Sequence, residues 1–366
     1  TPEAAPFQLP ELPVSINIGE IKVGRLTLGQ DLIGVAAVLS LDGSMSLADG
    51  TLDSALQIAR LDRDSDRLDL KAGFANDTGN ITIDMVLEED DGGLVSTALA
   101  LPGGPDIRLA LQGSGPVEDF SADLTLDTDG ARRIGGPVVL AAAGDAPADP
   151  ALGRRPIGFG GDLTGDITAL VDPVYQPFFG PDMRARLRGQ TRAMGGVMID
   201  DLALTTQALD ISGFVEVAAG GALESADLRA DVTPPPGQEA VVLPVAGGST
   251  TVTDLSLRAE KPAGRDWTVA AQMERLNNPD LRNARAEQEM TGTLDQSQGL
   301  SLDGQIAAAL TGLVPTDPAL AEALGAALTF DGRVTTAGPG ALRITDLLLL
   351  GPDYGAPGAV PLDGLA

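Results

Sequence analysis

The chain has no cysteine and no histidine among its 366 residues, and only 3% of it is aromatic, with one Trp and two Tyr. Without cysteine there are no disulfides and no thiol chemistry. Without histidine as well, a Ser-His-Asp triad and every ordinary zinc site are excluded. No Gly-Lys-Ser/Thr phosphate loop is present, and Gly113-Ser114-Gly115 lacks the third glycine of a dinucleotide fingerprint. Paired carboxylates serve glycosidases, but such sites lean on aromatic platforms that this chain lacks. These absences predict a non-enzymatic protein without a cofactor. The scarcity of aromatics leaves Leu, Ile, Val and Ala to supply the apolar surface, which suits a thin sheet-lined interior better than a deep core.

Basic residues are also few: 24 Lys and Arg stand against 52 Asp and Glu, a formal net charge of −28. Phosphate backbones require clustered cations, and no basic stripe is visible, so nucleic acid is not expected as a partner. Long hydrophobic runs are missing too. The stretches Val138 to Ala143 and Leu347 to Leu350 are far too short to span a bilayer. The chain opens Thr1-Pro2-Glu3 with neither a basic nor an apolar leader region, and reads as an excised or mature fragment of a larger protein.

What is present is a recurring β grammar. Runs such as Ile81-Thr82-Ile83-Asp84-Met85, Ile107-Arg108-Leu109-Ala110-Leu111 and Ala122-Asp123-Leu124-Thr125-Leu126 alternate apolar and polar residues. Period-two alternation makes a sheet that is apolar on one face and polar on the other. Strands are expected at 14–18, 21–28, 35–41, 44–47, 51–59, 67–74, 80–88, 94–100, 106–112 and 120–127. Asp42-Gly43, Asp49-Gly50, Asp91-Gly92 and Asp129-Gly130 are expected as antiparallel hairpin joints, because Asp-Gly favours the type I′ turn.

An internal repeat sets residues 172–204 against 317–349, displaced by 145 positions without a gap. Asp172-Pro173 falls on Asp317-Pro318, Gly180 on Gly325, Ile199 on Ile344 and Asp201-Leu202 on Asp346-Leu347. Each copy reads as a short Asp-capped, Pro-started helix followed by two strands; Asn278-Pro279 is expected to open a third brief helical turn. The organisation expected is a linker at 1–12, a β-rich segment at 13–142 and a linker at 143–156. The first repeat copy at 157–233, a Pro/Gly-rich connection at 234–250, strands with the second copy at 251–350, and a tail at 351–366 follow. The fold class is therefore all-β, mainly antiparallel, with one to three short helices.

Calcium is the one metal for which the residues give a signal. Asp62, Asp64 and Asp66 have the start of a Ca²⁺ loop, but position six is Arg67 where glycine is needed and position twelve is Gly73 rather than Glu. Arg60, Arg63 and Arg67 neutralise the run, so a solvated hairpin edge with mixed charges is expected and no metal site is assigned. The apolar stripe remains, with two readings: the inside of a packed sandwich, or an open trough for acyl chains. Burial of a chain yields roughly 0.8 kcal/mol per methylene, so a sixteen-carbon tail gains on the order of 10 kcal/mol from a continuous aliphatic lining. The lining residues expected from the clearest strands are Ile81, Ile83, Met85, Ile107, Leu109, Leu111, Leu124 and Leu126.

Taken in order, four segments resemble the periplasmic body of the TamB family (translocation and assembly module subunit), within the AsmA-like group of bridge proteins. They are Leu12-Pro13-Val14 to Leu28-Gly29, and Arg67-Leu68-Asp69-Leu70-Lys71-Ala72 with Ile81 to Leu87 and Asp91-Gly92-Gly93-Leu94. Leu101-Pro102-Gly103 through Leu111, Gly113, Gly115-Pro116 and Asp119-Phe120 is the third. The fourth is Gly312-Leu313-Val314-Pro315 to Leu324-Gly325 with Ile344-Thr345-Asp346-Leu347. The resemblance implies a β-taco, an elongated curled sheet with a hydrophobic groove, in the periplasm of a Gram-negative bacterium. It further implies phospholipid acyl chains as cargo between the inner and outer membranes. Partners would be the inner membrane, through an anchor helix, and an Omp85-type outer-membrane barrel, both met by regions outside this chain. Some 20 strands at about 4.8 Å would span on the order of 100 Å. A scaffold or chaperone for outer-membrane β-barrel proteins is the alternative, and an extracellular β-solenoid or adhesin with a closed core is a third.

Overall fold

In a computed structural model the described residues are 16–30, 35–63, 65–143, 156–192, 195–245, 249–282, 284–295, 301–338, 341–351 and 354–362. The expected linker at 1–12, residues 144–155 of the expected linker at 143–156, and part of the tail lie outside them. The protein is all-β and antiparallel, with three short helices among the described residues. It divides into two units, residues 1–173 with 181–195, and residues 174–180 with 196–366.

The first unit is a meander in which each strand pairs with the next in sequence. Its strands are β1 (Ile16–Leu28), β2 (Ala37–Ala48), β3 (Thr51–Arg60), β4 (Arg67–Ala75), β5 (Asn80–Glu89), β6 (Ile107–Pro116), β7 (Asp119–Thr128), β8 (Ala131–Ala142), β9 (Ile157–Gly165) and β10 (Met183–Thr191). The expected breaks at 19–20 and 42–43 are absent, because each expected pair of strands is one long strand. In β1 the pairing with β2 shifts between Ile18 and Ile21 and again between Val23 and Leu26. Each shift is a bulge that absorbs one extra residue, so Ile16, Ile18, Ile21, Val23, Leu26 and Leu28 all keep one face.

Asp42-Gly43 lies inside β2, where the alternation Leu39, Leu41, Gly43, Met45, Leu47 runs through it unbroken. Asp42 pairs with Lys22 at 3.2 Å on the polar face. A side chain on Gly43 would come within 3.3 Å of the Ala55 carbonyl oxygen. Period two thus outweighs the turn dipeptide. Asp49-Gly50 and Asp129-Gly130 do close hairpins, with φ of 49° and 70°, and 50° and 69°. Asp91-Gly92 leads instead into helix α1 (Leu94–Ala98), where a strand at 94–100 was expected. The cause is non-local. The Val95 amide donates to Glu89 Oε2 at 2.8 Å and Oε1 at 3.1 Å, supplying the cap that Gly93 lacks.

The second unit is likewise a meander: β11 (Val197–Thr205), β12 (Leu209–Val217), β13 (Leu223–Val232), β16 (Asp254–Lys261), β17 (Trp267–Leu276), β19 (Ala284–Asp295), β20 (Ser301–Thr311), β22 (Ala327–Gly338), β23 (Ala341–Gly351) and β24 (Tyr354–Leu362). Two ribbons are set beside it, β14 (Val241–Val242) with β15 (Thr251–Val252), and β18 (Leu281–Arg282) with β21 (Val314–Pro315). Helix α2 (Gln176–Phe179) packs its Phe178 with Ala208, Val232, Val241, Leu243 and Val252 in a small core at one margin of the sheet. The Pro/Gly-rich connection is therefore folded in part, supplying β14 of that ribbon, while β15 opens the segment that follows it.

The internal repeat has local structural counterparts. Helix α3 (Pro318–Leu324) begins on Asp317, whose Oδ1 accepts from Ala319 N at 2.7 Å and Leu320 N at 3.3 Å, and ends on Gly325 at φ 68°. The other copy enters through a 3₁₀ turn at Pro173–Tyr175 and ends α2 on the equivalent Gly180 at φ 62°. In β11 and β23 the ladder shifts at equivalent places, between Ile199 and Leu202 and between Ile344 and Leu347. Asn278-Pro279 opens no helix. Asn278 Oδ1 accepts from the amides of Asp280 (3.0 Å) and Leu281 (2.8 Å), a side-chain turn that satisfies those donors and starts β18.

Candidate functional site

Directly opposed residues of an antiparallel ladder share a face, so the register alone shows which side chains meet. In the first unit one row passes through Val23, Leu41, Ile58, Leu68, Leu87, Leu109, Leu126 and Ile134, one residue from each of β1 to β8, and every member is aliphatic. A second row runs Ile21, Gly43, Leu56, Leu70, Met85, Leu111, Leu124 and Gly136. Two further rows carry Ile83 beside Ala72 and Gly113, and Ile81 beside Phe74 and Gly115.

Of the eight residues expected from the sequence to line a trough, all lie on this face. Met85, Leu111 and Leu124 sit in direct succession, as do Leu109 and Leu126. Seven are half-buried, whereas Ile107 is 3% exposed and lies at the margin opposite Glu89. The sequence reading missed Val23, Leu41, Ile58, Leu68, Leu87 and Ile134. The same alternation marks them, and only the pairing shows that they continue the row.

The degree of burial characterises the face. Val23 is 37% exposed, and Leu41, Ile58, Leu68, Leu87, Leu109, Leu126 and Ile134 are all half-buried. Residues in the middle of a closed sandwich would be almost wholly covered. The apolar face of the first unit is therefore partly open along this row and along the second one, where Ile21 is 43% exposed and Leu56, Leu70, Met85, Leu111 and Leu124 are half-buried. Glycine permits close approach of β6 and β7 on this face: a side chain on Gly113 would fall 2.3 Å from the Ser121 carbonyl oxygen.

The opposite face is polar and ionic. Arg67, Glu88, Arg108, Asp127 and Arg132 succeed one another across β4 to β8 with alternating sign. Arg67 and Arg108 (3.3 Å) both pair with Glu88, and Arg132 pairs with Asp127. These pairs are solvated and contribute little individually, but opposite charges directly across strands favour this register over its neighbours.

At one margin the apolar face stops at buried charge. Arg60 and Asp66 are 8% and 5% exposed, and Arg60 Nη1 reaches Asp66 Oδ2 at 3.0 Å. Arg60 also grips Asp62 through Nε and Nη2, each at 3.0 Å, which holds the Asp62 carboxyl down at about 2. The Asp-rich hairpin is thus organised by arginine, and no group of metal-ligating residues occurs among the described residues. Asp64 lies outside them. Glu89, 5% exposed, is pushed above the usual carboxylate range chiefly by burial, against the opposing pull of the Val95 amide.

In the second unit the corresponding rows include Leu204, Ile211, Ala230, Leu257, Ala271, Gln288, Ala308, Phe330 and Leu349. The one tryptophan, Trp267, lies opposite Gly292, and its ring is the near neighbour that a side chain on Gly304 would strike at 2.9 Å. Gly304 leaves room for the indole. Comparison of the chain with family models, with curated proteins and with solved structures finds no match.

Proposed function

We propose that this chain is a non-enzymatic segment of a lipid path, whose apolar sheet face shelters phospholipid acyl chains as they pass between two membranes. The observation that carries the reading is the all-aliphatic row from Val23 to Ile134, continuous over eight strands and nowhere fully buried. A conduit needs a lining that is continuous and chemically uniform, since a deep polar subsite would trap the cargo. The acidic character of the chain supports the same reading, because it opposes adsorption of the polar face to anionic lipid surfaces. A periplasmic setting, an inner-membrane anchor and an Omp85-type partner belong to this proposal through the resemblance to the TamB family.

The alternative of a template for outer-membrane strands needs a flat free edge. Among the described residues β1 pairs only with β2, but it is bulged twice and carries Glu20, Lys22 and Arg25, while β24 contains Pro357 and Pro361. Such edges resist strand addition. The closed-core adhesin is disfavoured by the incomplete burial of the row. Native mass spectrometry with lipid extraction tests the proposal: several phospholipids of mixed head group, at substoichiometric levels, are expected on the purified protein. A lipid-free protein that also takes up none from vesicles would refute it.

A further inference from the structure

The apolar band of the first unit has a fixed width. Along β3 the residues on the apolar face are Leu52, Ser54, Leu56 and Ile58, along β4 Leu68, Leu70, Ala72 and Phe74, and along β5 Ile81, Ile83, Met85 and Leu87. Each set of four is bounded at both ends. On the same phase, one step further, stand Arg60, Asp66 and Glu89 at one margin, all less than a tenth exposed. At the other stand Gly50, Asn76 and Gly79, where the chain turns and Asn76 N donates to the Gly50 carbonyl oxygen at 2.9 Å.

Four same-face residues of a strand span six residue steps, or about 20 Å at ~3.4 Å per residue. An extended saturated chain of about 16 carbons has that length, and the same chains in a fluid leaflet fill about 15 Å. The ionic margin is a firm stop. Arg60 and Asp66 are already paired at 3.0 Å and Glu89 already holds the α1 cap, so none of the three offers apolar surface to a longer tail.

We infer that the β3–β5 band is a length gauge, on which single acyl chains lie along the strands, crossing the ladder direction, and which accepts about 16 carbons before the tail meets buried charge. This rests on the lipid-path reading and adds to it a chain-length class and an orientation. Each methylene that gains cover tightens binding about fourfold, and a methylene beyond the band gains none.

The test is a titration of the whole chain with saturated lysophosphatidylcholines from about 10 to about 22 carbons, each below its micelle threshold, read by native mass spectrometry. Affinity is expected to rise steeply with length and then level off near 16 carbons. The double variant Leu52→Gln, Ile81→Gln moves the polar boundary inward by one row at two half-buried positions that a glutamine tolerates. Its levelling-off point is expected about five carbons earlier, with circular dichroism unchanged. Affinity that climbs evenly to the longest chain, or a break that stays put in the variant, overturns the gauge while leaving the conduit standing. Absence of binding at every length overturns both.

Discussion

Leu109→Asp separates an open apolar face from a covered one. Leu109 is half-buried, with Leu87 opposite on one side and Leu126 on the other. Full burial of a leucine contributes about 1.5–3 kcal/mol, so loss of the larger part that is covered costs about 1–3 kcal/mol. Poorer strand propensity adds up to about 1 kcal/mol. The new carboxylate keeps water through the open side, so the full penalty of an unpaired buried charge does not arise. The expected loss is about 1–4 kcal/mol, a drop in the urea midpoint with an unchanged slope. Were the face covered, the same change would combine lost packing with an unpaired buried charge and cost more than about 5 kcal/mol. The assay pairs urea unfolding followed by circular dichroism with extraction of bound phospholipid. A folded variant that has lost most of its lipid is the expected result. Collapse of the fold would refute the open-face argument, and a folded variant with undiminished lipid would refute the assignment of Leu109 to the path.

Four further outcomes are expected. Arg60→Met leaves the buried Asp66 only the more distant Arg63 at 4.0 Å and should destabilise the first unit by about 2–4 kcal/mol by urea titration, whereas loss of either member of the solvated Arg188–Asp162 pair should be nearly silent. Gly113→Ala places a methyl 2.3 Å from a backbone oxygen and should cost about 1–3 kcal/mol, with hydrogen exchange faster in β6 and β7. Glu89 titrates above its unfolded value, so its ionisation opposes folding once the pH exceeds that unfolded value, and the penalty is complete above the folded one. Glu89→Gln, which keeps an acceptor for the Val95 amide, should therefore be more stable than the native protein at neutral pH, and the gain should disappear on acidification below the ordinary glutamate range. Asp317→Ala removes the α3 cap and should cost about 1 kcal/mol, read as faster exchange at Ala319 and Leu320.

The sequence by itself determined the two-faced strands. Alternation is a local property of the pleat, and the phase of Leu109, Leu111, Leu124 and Leu126 follows from their own strands without knowledge of any neighbour. The helix that starts on Asp317 and Pro318 was legible for the same reason, since its cap and first turn lie within four residues. Tertiary structure decided what depends on distant partners. Residues 94–98 carry strand-forming Val and Thr, yet they coil because a carboxylate six residues away, fixed at the end of β5, accepts the Val95 amide. Asp42-Gly43 has turn chemistry, yet it is held straight by pairing on both sides with β1 and β3. The buried stop of Arg60, Asp66 and Glu89 was hidden as well: Arg60 and Glu89 follow their apolar runs in the sequence and Asp66 precedes its own, each as an ordinary polar residue. Only the register sets them side by side on the apolar face, where removal from water makes their pairing a condition of the fold.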